Sequence, residues 1–146
     1  MPVSYDLLRD VPLLQSIKDK ELHRLASNLR ERRVSAGSPI VTQGEGAVAF
    51  FLILDGEAVV TVGGQQRATL KRGDFVGELA LLDPEGPRTA SVTASTDVVL
   101  AALSAWEFKP FVLAHPEVAW ELLRTLARRQ RAAQLEATGA EEGAPA

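Results

Sequence analysis

Short β-forming runs separated by turn residues fill the middle of the chain and restrict its fold more than any other feature. Between about residues 29 and 103, runs rich in Val, Ile, Phe and Thr alternate with Gly, Asp and Pro. Gly63-Gly64 stands between two such runs, as expected for a tight hairpin. This pattern predicts a double-stranded β-helix (jelly-roll) barrel rather than an α/β sheet. The predicted strands are 30–35, 38–42, 50–54, 57–62, 67–70, 89–94 and 98–103.

Helices are predicted on both sides of the barrel, so the fold class is mainly β with flanking helices. Ser16 and Asp19 form a capping-box-like start before a helix, and that helix carries an apolar face. After the barrel, Ser104 is expected to cap a helix over 105–114, and a long C-terminal helix follows from about 116 to 136. The N-terminal face comprises Leu22, Leu25, Ala26 and Leu29.

The chain is expected to form one domain over residues 1–137. Residues 138–146 are small and acidic, which predicts a disordered tail. Because the chain starts with Met1 and ends in this tail, it is interpreted as a complete small protein; a segment of a longer chain is the alternative.

Composition excludes several classes of function. Lys and Arg number 16 against 19 Asp and Glu, a net charge of −3 that argues against a general nucleic-acid binder. There is no cysteine, and His23 and His115 are far apart, so we expect neither a metal site nor a cofactor. Neither a signal peptide nor an apolar run of about 18 residues is present, which predicts a cytoplasmic protein without a membrane partner.

The long C-terminal helix carries a seam of residues at coiled-coil spacing. Its members recur at 4-3-4-3-4 spacing, which is typical of a coiled coil and predicts a homodimer through helix 116–136. Val118 and Leu122 lie on an adjacent face and are expected to dock on the barrel. The alternative to the dimer is one helix packed on its own domain. Arg124, Arg128, Arg129 and Arg131 are interpreted as a solvated face. The seam comprises Ala119, Leu123, Leu126, Gln130, Ala133 and Ala137.

A candidate anion site lies between residues 73 and 94. Small residues such as Gly77 let backbone N–H groups at a helix start approach an anion, and Arg88 supplies a charged hydrogen-bond fork. The carboxylate of Glu78 would repel a phosphate, so it is better suited to a hydroxyl, as on a sugar. An internal Arg88–Glu78 ion pair that staples the loop is the alternative.

Two motifs resemble the cyclic nucleotide-binding domain of catabolite-activator-type regulators and cyclic-nucleotide-dependent kinases. The first motif runs from Ile40 to Gly56 and includes Gly44-Glu45 and Phe50-Phe51. The second motif is Val76-Gly77-Glu78-x-Ala80-Leu81, six residues, then Arg88-Thr89-Ala90-x-Val92-x-Ala94. The resemblance covers about residues 7–134. It implies a phosphate-binding cassette with a short helix.

The resemblance assigns roles within this cassette. Arg88 would bind the cyclic phosphate and Glu78 the ribose 2′-OH, while Gly77 permits close backbone approach. Thr89 would add a hydroxyl to the phosphate or the base. The N–H groups of Leu79, Ala80 and Leu81 would face the anion, and Ala90 completes the expected ligand-binding set.

Base recognition is expected from a lid on the final helix, at Ala133 and Gln134 with Arg131 nearby. Ala133 departs from the family pattern because its side chain cannot form a hydrogen bond with adenine, so Gln134, Arg131 or stacking would have to substitute. Thr89 resembles the residue that accompanies cyclic GMP in kinases, yet bacterial members with a hydroxyl there commonly use cyclic AMP. The resemblance favours cyclic AMP over cyclic GMP.

The sequence therefore predicts a non-catalytic cyclic-nucleotide sensor that relays its state through the C-terminal helix to an unknown protein effector. The DNA-binding domain of the transcription regulators does not follow here, so no nucleic-acid partner is expected. The second hypothesis is a protein-interaction module of the same fold that no longer binds nucleotide. The third is a metal-dependent cupin-type enzyme, which the placement of His23 and His115 on predicted helices disfavours.

Overall fold

The computed structural model describes residues 3–41, 49–83 and 90–143. A helical cap precedes eight short strands, and two helices complete the chain. The cap consists of α1 (Tyr5–Leu8), a 3₁₀ turn (Pro12–Leu14) and α2 (Asp19–Asn28). The strands are β1 (Arg30–Val34), β2 (Pro39–Val41), β3 (Ala49–Asp55), β4 (Ala58–Val62), β5 (Gln65–Leu70), β6 (Phe75–Val76), β7 (Ser91–Ala94) and β8 (Val98–Ser104). The remaining helices are α3 (Glu78–Leu82), α4 (Ala105–Ala114) and α5 (Pro116–Gly143).

The strands form two antiparallel four-stranded sheets that enclose the barrel. Their orders are β1-β8-β3-β6 and β2-β7-β4-β5. The chain crosses between sheets near Gly37, whose positive φ of 88° allows the corner. This arrangement confirms the predicted jelly-roll barrel with flanking helices.

Strand β3, in the middle of the first sheet, is buried on both faces. Along β3, Phe51 and Ile53 face the barrel interior, whereas Phe50, Leu52 and Leu54 face the helices. Alternation of side chains along a strand places consecutive residues in these two cores. The helix-side core also contains Val118 and Leu122, which confirms that α5 docks on the barrel.

Of the predicted caps and turns, one hairpin and one helix cap are confirmed, and one capping box is wrong. The hairpin between β4 and β5 is confirmed, since Gly63 and Gly64 both have positive φ, as a primed turn requires. Ser104 does cap α4, and its N–H donates to the Glu107 carboxylate. The capping box at Ser16 is wrong, because α2 begins at Asp19 and Lys18 occupies the N-cap without a side-chain hydrogen bond.

The structure departs from the sequence expectation at β6, at the end of α5 and at His115. The two-residue strand β6 was missed, because Phe75-Val76 is too short to show a period. Helix α5 runs past Glu136 to Gly143, into the stretch for which disorder was predicted. That extension contains Ala137, Ala140 and two glutamates, which are good helix formers, together with Gly139 and Gly143, which are poor ones. His115 lies between α4 and α5 rather than within a helix.

Candidate functional site

Gly77 fixes the point at which the chain turns from β6 into α3. Val76 pairs with Phe51 of β3, and Gly77 then adopts a φ of 95°. A Cβ at Gly77 would overlap the carbonyl oxygen of Ala49. The close approach of two backbones at this point therefore requires glycine, and it sets the start of α3 against β3.

Glu78 follows as the first residue of α3, and it is buried. Only 4% of its surface is exposed, and it is the buried charged residue of the described part of the chain. Arg129 of α5 lies opposite, with Nη1 donating to Glu78 Oε1 at 3.0 Å. Its Nη2 donates to the Phe75 carbonyl oxygen at 3.0 Å, and its Cζ lies 4.4 Å from the centre of the Phe75 ring. One side chain thus ties the long helix to both β6 and α3.

Burial dominates the electrostatics of this pair. Loss of hydration raises the pKa of the Glu78 carboxyl above its ordinary value of 4.5, and the nearby Arg129 charge offsets only part of that rise. A carboxylate has about four acceptor positions. The bond from Arg129 and one from the Glu78 backbone N–H therefore leave capacity for another donor, such as a hydroxyl.

The start of α3 supplies fewer open donors than the sequence suggested. Of the three N–H groups predicted to face an anion, that of Leu81 already donates to the Gly77 carbonyl at 3.3 Å. Leu81 is partly buried against the helix-side core. Leu79 and Ala80 lie within α3, and the first N–H groups of a helix have no intrahelical acceptor. They remain the predicted donors.

The structure brings together only part of the predicted site. Gly77 and Glu78 lie side by side, and Ala90 lies half-buried just before β7. Arg88 and Thr89 fall outside the described residues. The predicted base lid, Arg131, Ala133 and Gln134, is exposed on α5 beyond Arg129. No described contact joins the lid to Glu78, so its role stays a prediction.

Arg129 is the site residue that sequence reasoning missed. Its interpretation as part of a solvated face is wrong, since it contacts both Glu78 and Phe75. Helical spacing carried the signal: Val118, Leu122 and Arg129 lie four and seven residues apart, on one face. Val118 and Leu122 dock on the barrel, which places Arg129 next to Phe75 and Glu78. The expected alternative partner for Glu78, Arg88, lies outside the described residues.

Metal-ligand clusters and membrane-spanning helices are both absent from the described part of the chain. Within residues 3–41, 49–83 and 90–143, no three His, Asp or Glu side chains cluster as metal ligands would. Across the same ranges, no helix is long and apolar enough to span a bilayer.

The fold and site define a class of protein: a jelly-roll ligand-binding domain with a buried carboxylate at the head of a short helix. The family model of the cyclic nucleotide-binding domain matches residues 31–115. The chain belongs to the cyclic nucleotide-binding domain family. The family is defined by nucleotide binding, and the related kinase subunits are named as regulatory.

Similar proteins include kinase subunits and bacterial regulators. The cAMP-dependent protein kinase regulatory subunit of Yarrowia lipolytica is 43% identical over 102 residues, covering 68% of this chain and 27% of that protein. The Thermus thermophilus catabolite activator protein is similar in structure, with a TM-score of 0.75, 35% identity and coverage of 89% and 63% of the two chains. The regulatory domain of Toxoplasma gondii PKA, solved with cAMP, is similar with a TM-score of 0.71 and 31% identity. The match covers 86% of this chain and 48% of that one. The chain thus spans about a quarter of the kinase subunit.

Proposed function

We propose that this domain is a cyclic-nucleotide sensor that binds cyclic AMP in preference to cyclic GMP. Glu78 accepts a hydrogen bond from the ribose 2′-OH, and Arg88 binds the cyclic phosphate. The observation that carries the proposal is the buried Glu78 carboxylate beside the Gly77 turn. Because burying a charge is costly without partners, a carboxylate held there with spare acceptor capacity is better explained by a ligand hydroxyl than by folding.

Isothermal titration tests the binding step. We expect cyclic AMP to bind the full chain more tightly than cyclic GMP. Glu78→Gln should weaken cyclic AMP by about 10-fold, because one charge-assisted hydrogen bond becomes a neutral one. Glu121→Gln is the matched control: Glu121 pairs with Arg124 within α5, and no described contact joins it to Glu78, so this variant should bind as the wild type does. The absence of heat with either nucleotide would rule out the sensor.

We further infer that Arg129 carries the relay. It contacts Glu78 and Phe75 at the pocket while belonging to the helix that Val118 and Leu122 anchor. A ribose hydroxyl at Glu78 would share the carboxylate with Arg129. Any shift of that bond moves the exposed half of α5, which is where an effector has access. A ligand changes the balance between two positions of α5 only by its differential affinity for them.

The outer part of α5 supports the proposed homodimer. All residues from Gln130 to Ala137 are exposed, and Leu123 and Leu135 are 58% and 67% exposed. A helix without tertiary contacts is marginal in water. The seam of a second copy would cover Leu123 and Leu126 at its centre, with Gln130, Ala133 and Ala137 further along, whereas Leu135 lies outside the seam.

Sedimentation equilibrium tests the dimer. We expect a mass of twice the 15.7 kDa chain at micromolar concentration, and a monomer for Leu123→Glu, because charges across a seam repel. Leu113→Glu on α4 is the matched control: Leu113 is 71% exposed but outside the seam, so the dimer should persist. If both variants dissociate equally, the dimer forms by general apolar association and not through the seam.

The second candidate is an interaction module without ligand. The Glu78–Arg129 ion pair favours it, because the carboxylate already has a charged partner. The two functions differ in one measurement: an interaction module gives no heat with nucleotide while keeping the dimer.

A further inference from the structure

Three arginines on β1 divide between two faces of the first sheet. Arg33 points to the helix side, where its Nε lies 3.3 Å from Glu31 Oε2. Arg30 and Arg32 alternate with it and share the barrel face of Val34, which is buried in the interior core. Both are exposed. Among the described residues, neither has a carboxylate within ion-pair distance.

Strand register places these two arginines at the cassette end of the barrel. Arg30 pairs with Ala102, Ala102 with Phe51, and Phe51 with Val76, the residue before Gly77. Arg30 and Val76 therefore belong to one row across the sheet. The opposite end of β1 leads to the corner, where the Ala36 N–H donates to Asp97.

The side chain of Arg32 leans toward that same end. Its own row runs through Leu100 to Ile53, yet its Cζ lies 5.5 Å from the centre of the Phe51 ring, in the neighbouring row. Neighbouring strands are about 4.8 Å apart, so the guanidinium crosses β8 to reach β3. The ring holds the charge over the barrel face without neutralising it.

We propose that Arg30 and Arg32 form a positive entrance strip that steers the anionic nucleotide into the barrel. This inference rests on the proposed sensor function and adds a kinetic role for residues outside the cassette. The chain as a whole carries a net charge of −3, which repels an anion. Two cations at the cassette end of the barrel, neither with a carboxylate partner among the described residues, reverse the local sign, and such local fields act mainly on association rates.

Stopped-flow association with a fluorescent cyclic AMP analogue labelled at base carbon 8 tests the strip, because that label leaves the ribose and phosphate free. In low salt, we expect Arg30→Gln/Arg32→Gln to lower the association rate constant about 3- to 10-fold. The dissociation rate constant should change less than about twofold. At about 0.5 M salt, where screening is strong, the two proteins should associate at similar rates.

Arg24→Gln/Arg33→Gln is the control, because it removes the same net charge from exposed residues on α2 and on the helix side of β1. It should associate like the wild type, and urea unfolding should establish that both double variants are folded. Equal slowing in the two variants would overturn the steering role, as would an effect confined to dissociation. If the wild type does not bind the analogue, the sensor function itself is wrong. If the wild type binds but the Arg30→Gln/Arg32→Gln variant associates at the same rate, only the steering role is wrong.

Discussion

Replacing Gly77 with alanine is expected to lower the free energy of unfolding by about 2–4 kcal/mol and to abolish nucleotide binding. Two penalties combine. The φ of 95° is strained for any residue with a side chain, and the added Cβ would overlap the Ala49 carbonyl oxygen. Relief requires β3 and the start of α3 to separate, which displaces Glu78. Urea unfolding and titration with cyclic AMP measure the two effects.

Gly37→Ala is the matched control for backbone strain. Gly37 has nearly the same φ, 88°, but nothing lies within 4 Å of the position that a Cβ would take there. Alanine at this corner should cost only about 1–2 kcal/mol and leave cyclic AMP affinity unchanged. If Gly77→Ala is no worse than Gly37→Ala, the close contact with β3 does not shape the site.

Local sequence signals predicted the barrel well because each follows directly from backbone geometry or burial. The glycine pair at 63–64 fixed one hairpin, and apolar runs such as Phe50–Leu54 marked a strand buried on both faces. Signals of one or two residues failed. Phe75-Val76 is too short to reveal a strand, and Ser16 offered a capping pattern that the chain did not use.

The site was predictable in its local half and not in its long-range half. Gly77 and Glu78 are neighbours in sequence, so their pattern was visible as a motif. Arg129 lies 51 residues from Glu78, and among four nearby arginines nothing local distinguishes the one that docks. Only the helical phase set by Val118 and Leu122 does so. That phase becomes informative once the barrel is known to receive those two side chains.

Removing Arg129 should reveal how much of the domain depends on the Glu78 partner. We expect Arg129→Met to lower the free energy of unfolding at pH 8 by about 2–3 kcal/mol. A buried carboxylate left unpaired costs about 3–5 kcal/mol, and the Arg129 side chain is 35% exposed, so water already weakens the bond. Arg128→Met is the control: Arg128 is exposed, and its one side-chain hydrogen bond among the described residues goes to Thr125, so little stability should be lost.

The pH dependence separates an ionised Glu78 from simple loss of packing. The pKa of Glu78 is raised by burial, and without Arg129 it rises further, because the charge that lowers it is gone. Between the two folded pKa values the variant holds a proton that the wild type does not. The stability lost by Arg129→Met is therefore full above this window and shrinks as pH falls through it. Urea unfolding at pH 8 and pH 5 should show the larger loss at pH 8.

Adding Glu78→Gln to Arg129→Met should recover stability at pH 8 and remove the pH dependence, because the buried charge is then absent. A loss that stays equal at both pH values would instead assign the contribution of Arg129 to the Phe75 ring and carbonyl. Recovery of stability in the double variant would mean that the buried Glu78 carboxylate needs a partner in every state of the folded domain. Under the proposed sensor function, a nucleotide hydroxyl that joins Arg129 at that carboxylate would change the free energy of holding α5 in place, which is what a relay requires.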